Sequence, residues 1–414
     1  MNFNKVVFNR LVIFIMIVFS VFCTSCKKNP NSNEKLLNLY IDIRDTHSLN
    51  IINIIIDEYK KDNPNSKINV KNSLGSKVIF EDINKGSEAD IIFNTRNTMI
   101  ELSQKGLISD MTPYYEKDKI SDRFYKILSE YGRIGDKYYG IGLIPYSVEI
   151  VYNNQALSNL KIKAPNNLTE FNNVLLKLRE HSIRVPVLLT EDLDTNFALA
   201  SLFINSKVKS RVLESTYDSN ESSLLKMSDI QIALNDINTL VKGGVVDKNS
   251  FEMGKEITIN NINNGNIPIM ICISYYNNIF TSTGLGIVDD FSFYNNVKSN
   301  VPIIVNCLMT IPTNGKNSDE AMNFMKYALS DETQKKLSGK GFITGNIKAN
   351  ESISGIGKSM AKHIWSSNED SIMFNYNMPA FLSNELTSKI SNILMGKYTG
   401  EEWKEIVELS KSQE

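Results

Sequence analysis

Clusters of polar and aromatic residues stand where apolar, strand-like runs of this chain end, and any chemistry falls to them. Asp45, Thr46 and His47, preceded by Arg44, follow the run at 36–43, and Asn94, Thr95 and Arg96 follow a run ending at Phe93. Tyr146, Ser147 and Glu149 sit beside Pro145; Thr190, Glu191, Asp192 and Asp194 follow 185–189; Ser274, Tyr275 and Tyr276 follow Ile273. Trp365 and Tyr376 add two late aromatic faces. Aromatic rings offer flat apolar faces, and carboxylates and amides exchange hydrogen bonds with hydroxyls, so this inventory suits recognition. Turnover signatures are missing: there is no G-x-S-x-G, no Walker loop and no H-E-x-x-H. His47, His181 and His363 lack metal-ligand spacing, so neither a metal nor a cofactor is expected.

Each candidate has a plainer reading. Asp45, Asp192 and Asp194 suit helix caps or solvated loops, Arg96 a surface charge, and Trp365 a core position in a helical stretch at 359–366. Tyr275 and Tyr276 extend a strand, where successive side chains alternate, so one ring is expected inward and one outward.

The elements that must position these residues alternate. The run at 36–43 leads to a helix at 49–59, capped by Thr46 or Ser48 and closed before Asn63-Pro64. Strands at 67–70 and 90–93 alternate with helices at 78–84 and 99–105, the last stopped by Gly106. Such alternation implies mostly parallel sheets covered on both faces. In Gly135 to Leu157, Pro145 separates two β-runs, and this reads as a strand leaving one sheet for another. Beyond it come a helix at 171–180, a strand at 185–189, a helix at 197–203 and a polar, exposed excursion at 211–227. A helix at 230–241 ends at Gly243-Gly244, and 256–264 leads into a strand at 269–273. Two capped helices begin near Ser318 and Ser330, and 382–409 reads as two helices broken at Gly396 to Gly400.

At 414 residues the chain exceeds one ordinary core. Its 42% apolar and 22% charged residues are those of a globular protein. Lys5 and Arg10 precede a twelve-residue apolar run, Leu11 to Phe22, which is short for a membrane span and suits a secretory signal. Without residues 1–25 the chain keeps 43 basic and 46 acidic side chains, which offers no footprint for nucleic acid. Cys272 and Cys307 lie in apolar runs and read as small buried hydrophobes rather than a disulfide.

Several motifs, in order, resemble extracellular solute-binding proteins of family 1, the maltose-binding-protein-like receptors of ABC importers. Ala89-Asp90-Ile91-Ile92-Phe93 is similar to the family's "aDi" strand, and Gly106 to Pro113 to its "G-l-dLtp" turn. Gly135-Asp136-Lys137-Tyr138-Tyr139-Gly140, Pro145 and Tyr152-Asn153 resemble "dGk-Yg-iP … -l-YNk". Pro165 to Phe171 resembles "P-TwdEf", with Leu168 in place of the Trp; Gly265 to Met270 resembles "F-Gk-AM", with Pro268 in place of Ala. Cys23-Thr24-Ser25-Cys26 resembles a bacterial lipobox, with Cys23 where Leu is usual.

The resemblance implies a two-lobed, type II periplasmic-binding-protein-like α/β fold with a cleft between the lobes. The implied organisation is a signal peptide at 1–25, a lipid-anchored tether at 26–35, and a first lobe over 36–147 and 285–345. The second lobe is assigned 148–284 and 346–414. It implies a monomeric receptor, lipidated at Cys26 and held on the extracytoplasmic face of the cell membrane. The receptor passes a carbohydrate to permease subunits and carries no catalytic residues. The ligand residues expected are Asp45, Thr46, His47, Asn94, Arg96, Tyr146, Glu149, Glu191, Asp192, Tyr275, Tyr276, Trp365 and Tyr376. Two alternatives stay open: a polyamine, metal chelate or anion as solute, and a secreted carbohydrate-active enzyme using Glu191 and Asp192. Adjacent residues usually point apart, which disfavours the enzyme.

Overall fold

The computed structural model describes residues 35–73, 76–86, 88–215, 217, 221–293, 297–298, 300–378 and 380–410. The signal reading, Cys26 and all of the tether except Lys35, which opens the first strand, lie outside the described residues. Among those described, no helix is long and apolar enough to cross a membrane.

The strands of the two main sheets are, in chain order, β1 (Lys35–Ile41), β2 (Ser66–Asn72), β3 (Ile91–Asn94), β4 (Ile141–Gly142), β5 (Tyr146–Asn153) and β6 (Val185–Leu188). Then come β7 (Phe251–Met253), β8 (Ile269–Ile273), β9 (Leu285–Ile287), β10 (Ile303–Ile304) and β11 (Leu308–Thr310). The first sheet has the order β2-β1-β3-β11-β4, with β1, β2 and β3 parallel and β11 antiparallel to both neighbours. The second has the order β9-β5-β8-β6-β7, in which β6, β7 and β8 are parallel and β5 runs against β8 and β9. β3 and β8 are buried throughout, as expected of parallel strands covered on both faces.

The helices that position the site are α1 (Thr46–Asp62), α2 (Arg96–Gln104), α3 (Lys126–Gly132), α4 (Ile356–Trp365) and α5 (Ala380–Leu394). α1 is capped by Asp45, not by Thr46 or Ser48: its carboxylate accepts from the Ser48 amide at 2.9 Å. A carboxylate both satisfies an orphan amide and meets the positive end of the helix dipole, which releases the Thr46 hydroxyl for another partner.

The chain does change sheets at Pro145, from β4 in the first to β5 in the second. Gly142 is needed at that crossing, because a Cβ there would fall 2.6 Å from a Leu128 methyl and 2.9 Å from a Val305 methyl. The return differs from expectation. Residues 285–287 do not re-enter the first lobe; β9 covers the open edge of β5, pairing Leu285 with Asn153. The return follows through β10, which pairs with the start of β5, and β11, which joins the first sheet.

The stretch 211–227 is likewise no simple exposed excursion. Helical turns at Ser210–Glu214 and Glu221–Leu225 bury Leu213, Leu224 and Met227. Cys272 and Cys307 are free and buried.

Candidate functional site

The loops after β1, β6 and β8 leave the carboxyl ends of parallel strands and converge between the sheets, where open α/β sheets build their crevices. A cavity of about 300 Å³ lies there, lined among others by Asp42, Arg44 and Asp45 after β1, Glu101 on α2, Asp192 after β6, and Asn306 before β11. A second hollow of about 340 Å³ adjoins the start of α1, walled by His47, Tyr275, Tyr276 and Phe342.

Hydrogen bonds cross directly from one lobe to the other. The Thr46 amide donates to Glu191 at 3.2 Å, and its hydroxyl donates to the same carboxylate. His47 Nε2 lies 2.6 Å from the Tyr276 hydroxyl, while its Nδ1 lies 2.8 Å from Asp45. Asn50 donates to the Tyr275 hydroxyl at 3.1 Å. Tyr275 and Tyr276 set their rings edge-on to the His47 imidazole, with centroids at 4.3 and 5.3 Å.

The carboxylates divide by environment. Burial works against the Asp45 charge, but hydrogen bonds from His47 and Ser48 outweigh it and hold the carboxyl below its usual value. Asp192 is pushed up by burial, although Tyr376 donates to it at 2.5 Å and Asn306 at 3.1 Å. Burial also raises Asp42 and Glu101.

The model of the bacterial extracellular solute-binding proteins matches residues 47–335, most of the chain. The chain belongs to this family. No curated protein matches it by sequence. Solved structures share its fold at low identity. The sugar-binding protein MalE from Xanthomonas citri superposes with a TM-score of 0.67 at 11% identity, covering 91% of this chain and 98% of that one. A solute-binding protein from Thermotoga lettingae, bound with α-D-tagatose, gives 0.66 at 14% over 92% and 99%. The GacH receptor of Streptomyces glaucescens, solved with acarbose, gives 0.63 at 13% over 91% and 97%. The fold is the type II binding-protein fold.

This solute-binding protein brings eight of the thirteen residues singled out in its sequence into one region. Asp45, Thr46 and His47 come from one lobe; Glu191, Asp192, Tyr275, Tyr276 and Tyr376 face them. Glu191 and Asp192 do point apart, one to Thr46 and the other to Tyr376 and Asn306. Both tyrosines, not one, face His47, because the strand ends at Ile273 and a 3₁₀ turn, Ser274–Ile279, sweeps both rings to the same side.

The other five stand elsewhere. Asn94 is fully buried in the first sheet and donates to Thr310 at 3.0 Å. Arg96 is neither a surface charge nor open to a ligand; its guanidinium is fully buried and holds backbone carbonyls of 130, 131 and 133. Tyr146 is 2% exposed and backs Tyr275 with centroids 5.8 Å apart. Glu149 is fully buried and paired with His363 at 2.9 Å. Trp365, 62% exposed on α4, lines neither hollow of the site. It is therefore not the core residue of the plainer reading either.

The fold also assembles what sequence spacing did not suggest. Asp45, His47 and Glu191 place potential metal-ligand atoms within 4.8 Å of one another, although the His47 and Glu191 atoms already engage Asp45, Tyr276 and Thr46. Missed in the sequence were Asp42, Glu101, Asn306 and Asn375, all lining the first cavity. Asp42 directly follows β1 and could have been found by the strand-end rule. Asn375 lies in a late 3₁₀ turn with no local signal.

Proposed function

We propose that this extracellular solute-binding protein, of the kind that serves ABC importers, captures a carbohydrate between its lobes and delivers it to membrane permease subunits. It works as a monomer, lipid-anchored through Cys26 on the outer face of the cell membrane. The observation that carries this reading is the interlobe cavity, where carboxylates and amides from both lobes converge, with a second hollow at the start of α1 walled by Tyr275 and Tyr276. Hydroxyls of a sugar would donate to Asp192 and Asn306 and accept from Arg44, and the tyrosine edges would pack on the ring. The structural relatives support it: one is bound with a sugar and another with acarbose. A ligand reaching both lobes favours the closed state by its differential affinity for that state.

A thermal-shift screen against mono- and oligosaccharides, polyamines, amino acids and anions tests the reading. A ligand at 100 times its dissociation constant adds about 2.7 kcal/mol of stability. A sugar should raise the melting temperature, and Asp192→Ala and Tyr275→Ala should each abolish the rise. Shifts confined to amino acids or anions would defeat the carbohydrate assignment.

A further inference from the structure

The cavity lined by Asp42 and Asp192 is unbalanced in both charge and hydrogen bonding. Four carboxylates line it, those of Asp42, Asp45, Glu101 and Asp192, against the single guanidinium of Arg44. Asp45 is spent on the α1 cap and His47; Asp192 also accepts from Tyr376 and Asn306, but with Asp42 and Glu101 it lines the space. Lys105, which acts on Glu101 electrostatically, does not line the cavity and lies over the Phe80 ring at 3.8 Å. Two buried amides of the lining point to the same need. The side-chain oxygens of Asn306 (1% exposed) and Asn375 (6% exposed) have no hydrogen-bond partner. A buried acceptor left unmade costs roughly 1–3 kcal/mol, and native interiors seldom leave such groups unsatisfied.

The cavity thus offers acceptors and negative charge and asks for donors and positive charge. A neutral sugar supplies hydroxyl donors only. A protonated amine supplies three N–H donors from one centre together with the missing charge. We infer that the solute carries a protonated amine and is an amino sugar, its ammonium seated among Asp192, Glu101 and Asp42 with Asn306 and Asn375 accepting from it. This deepens, and rests on, the reading of the cleft as a carbohydrate site. Burial, which pushes all three carboxyls upward, is offset once a cation lies between them. Arg44, exposed at the rim, repels the same ammonium and sets the electrostatic ceiling on affinity.

Calorimetric titration of the protein with glucosamine and its oligosaccharides, their N-acetylated forms, the matching glucose forms and spermidine separates the possibilities, at a mildly acidic pH where the amine is charged. The amino sugar should bind on the order of 10- to 100-fold more tightly than its N-acetylated or hydroxyl counterpart, the range expected of a charge-assisted hydrogen bond. Asp192→Asn and Glu101→Gln should erase that preference, and circular-dichroism melting shows whether each variant is folded. Arg44→Gln should move the other way and tighten amine binding, which a merely damaged site cannot do. Equal or stronger binding of neutral sugars overturns the inference and leaves the carbohydrate reading intact. Binding of spermidine with no sugar binding keeps the amine and overturns the sugar. Failure of every probe overturns both.

Discussion

His363 on α4 and Glu149 on β5 hold one another inside the second lobe, the imidazole Nδ1 2.9 Å from the carboxylate and Nε2 3.7 Å from Asp289. Phe291 closes the group edge-on at 5.7 Å. Burial by itself would lower the imidazole, but the Glu149 and Asp289 carboxylates outweigh it and raise His363 above its ordinary value. A raised imidazole gives stability that is complete below the unfolded-state value of about 6.5 and is lost as pH climbs through the higher folded value. Urea unfolding should therefore show stability falling from about pH 6.5 upward. His363→Gln, which can still donate to Glu149, should remove that part of the slope; an unchanged slope would refute the assignment. At this scale the sequence is informative about which residues stand at a strand end, as Asp45, Thr46 and Asp192 do, but not about the distant groups that Thr46 and Asp192 meet. It is silent where the partner is distant: Glu149 and His363 are 214 residues apart, and β-alternation could not say that Glu149 faces α4 rather than the cleft.

Elements meet at Arg96, which heads α2. Its guanidinium donates to the Tyr131 carbonyl at 2.7 Å and the Arg133 carbonyl at 2.8 Å beyond α3, and to the Asn377 side chain at 2.9 Å. It also reaches Glu214 and Tyr217, which anchors the stretch read from sequence as an exposed excursion. The planar fork of an arginine can serve several acceptors at once, whereas a lysine delivers one compact charge. Arg96→Met should cost about 3–5 kcal/mol in urea unfolding, since it takes the buried donor away from the carbonyls of 130, 131 and 133 at once, while Glu214 keeps Arg133. Arg96→Lys should recover only a minor part, and a full recovery would show that charge alone matters there. Helix α2 itself was visible in the apolar spacing and the Gly106 stop. The role of its first residue was not, because Asn377 lies 281 residues away.

The whole molecule was the most legible of the three scales. Strand–helix alternation and the proline-split crossing at 145 carry the two-sheet plan, since periodicity is dictated locally by burial on two faces. The point of return was misplaced because an edge strand such as β9 has the same apolar pattern whichever sheet it joins. Beyond the folded body, the Cys26 motif carries the expectation of an anchor. Cys26→Ser should move the protein from the membrane fraction to the soluble fraction of fractionated cells without altering its melting temperature; retention in the membrane would exclude the lipid.

The joint between the lobes is not a single thread: it includes two paired strands, and Ile372 bridges to Ile303 beside them. Where the chain leaves the first sheet at Tyr146 and Ser147, it is laddered to Ile304 and Ile303, where it is on its way back. Two cords lashed side by side resist twisting far more than one does, yet still fold like the spine of a book. Such a joint favours opening and shutting about one axis over swivelling. Occupancy of the cleft would then be expressed along a single mechanical coordinate, the gape between the lobes.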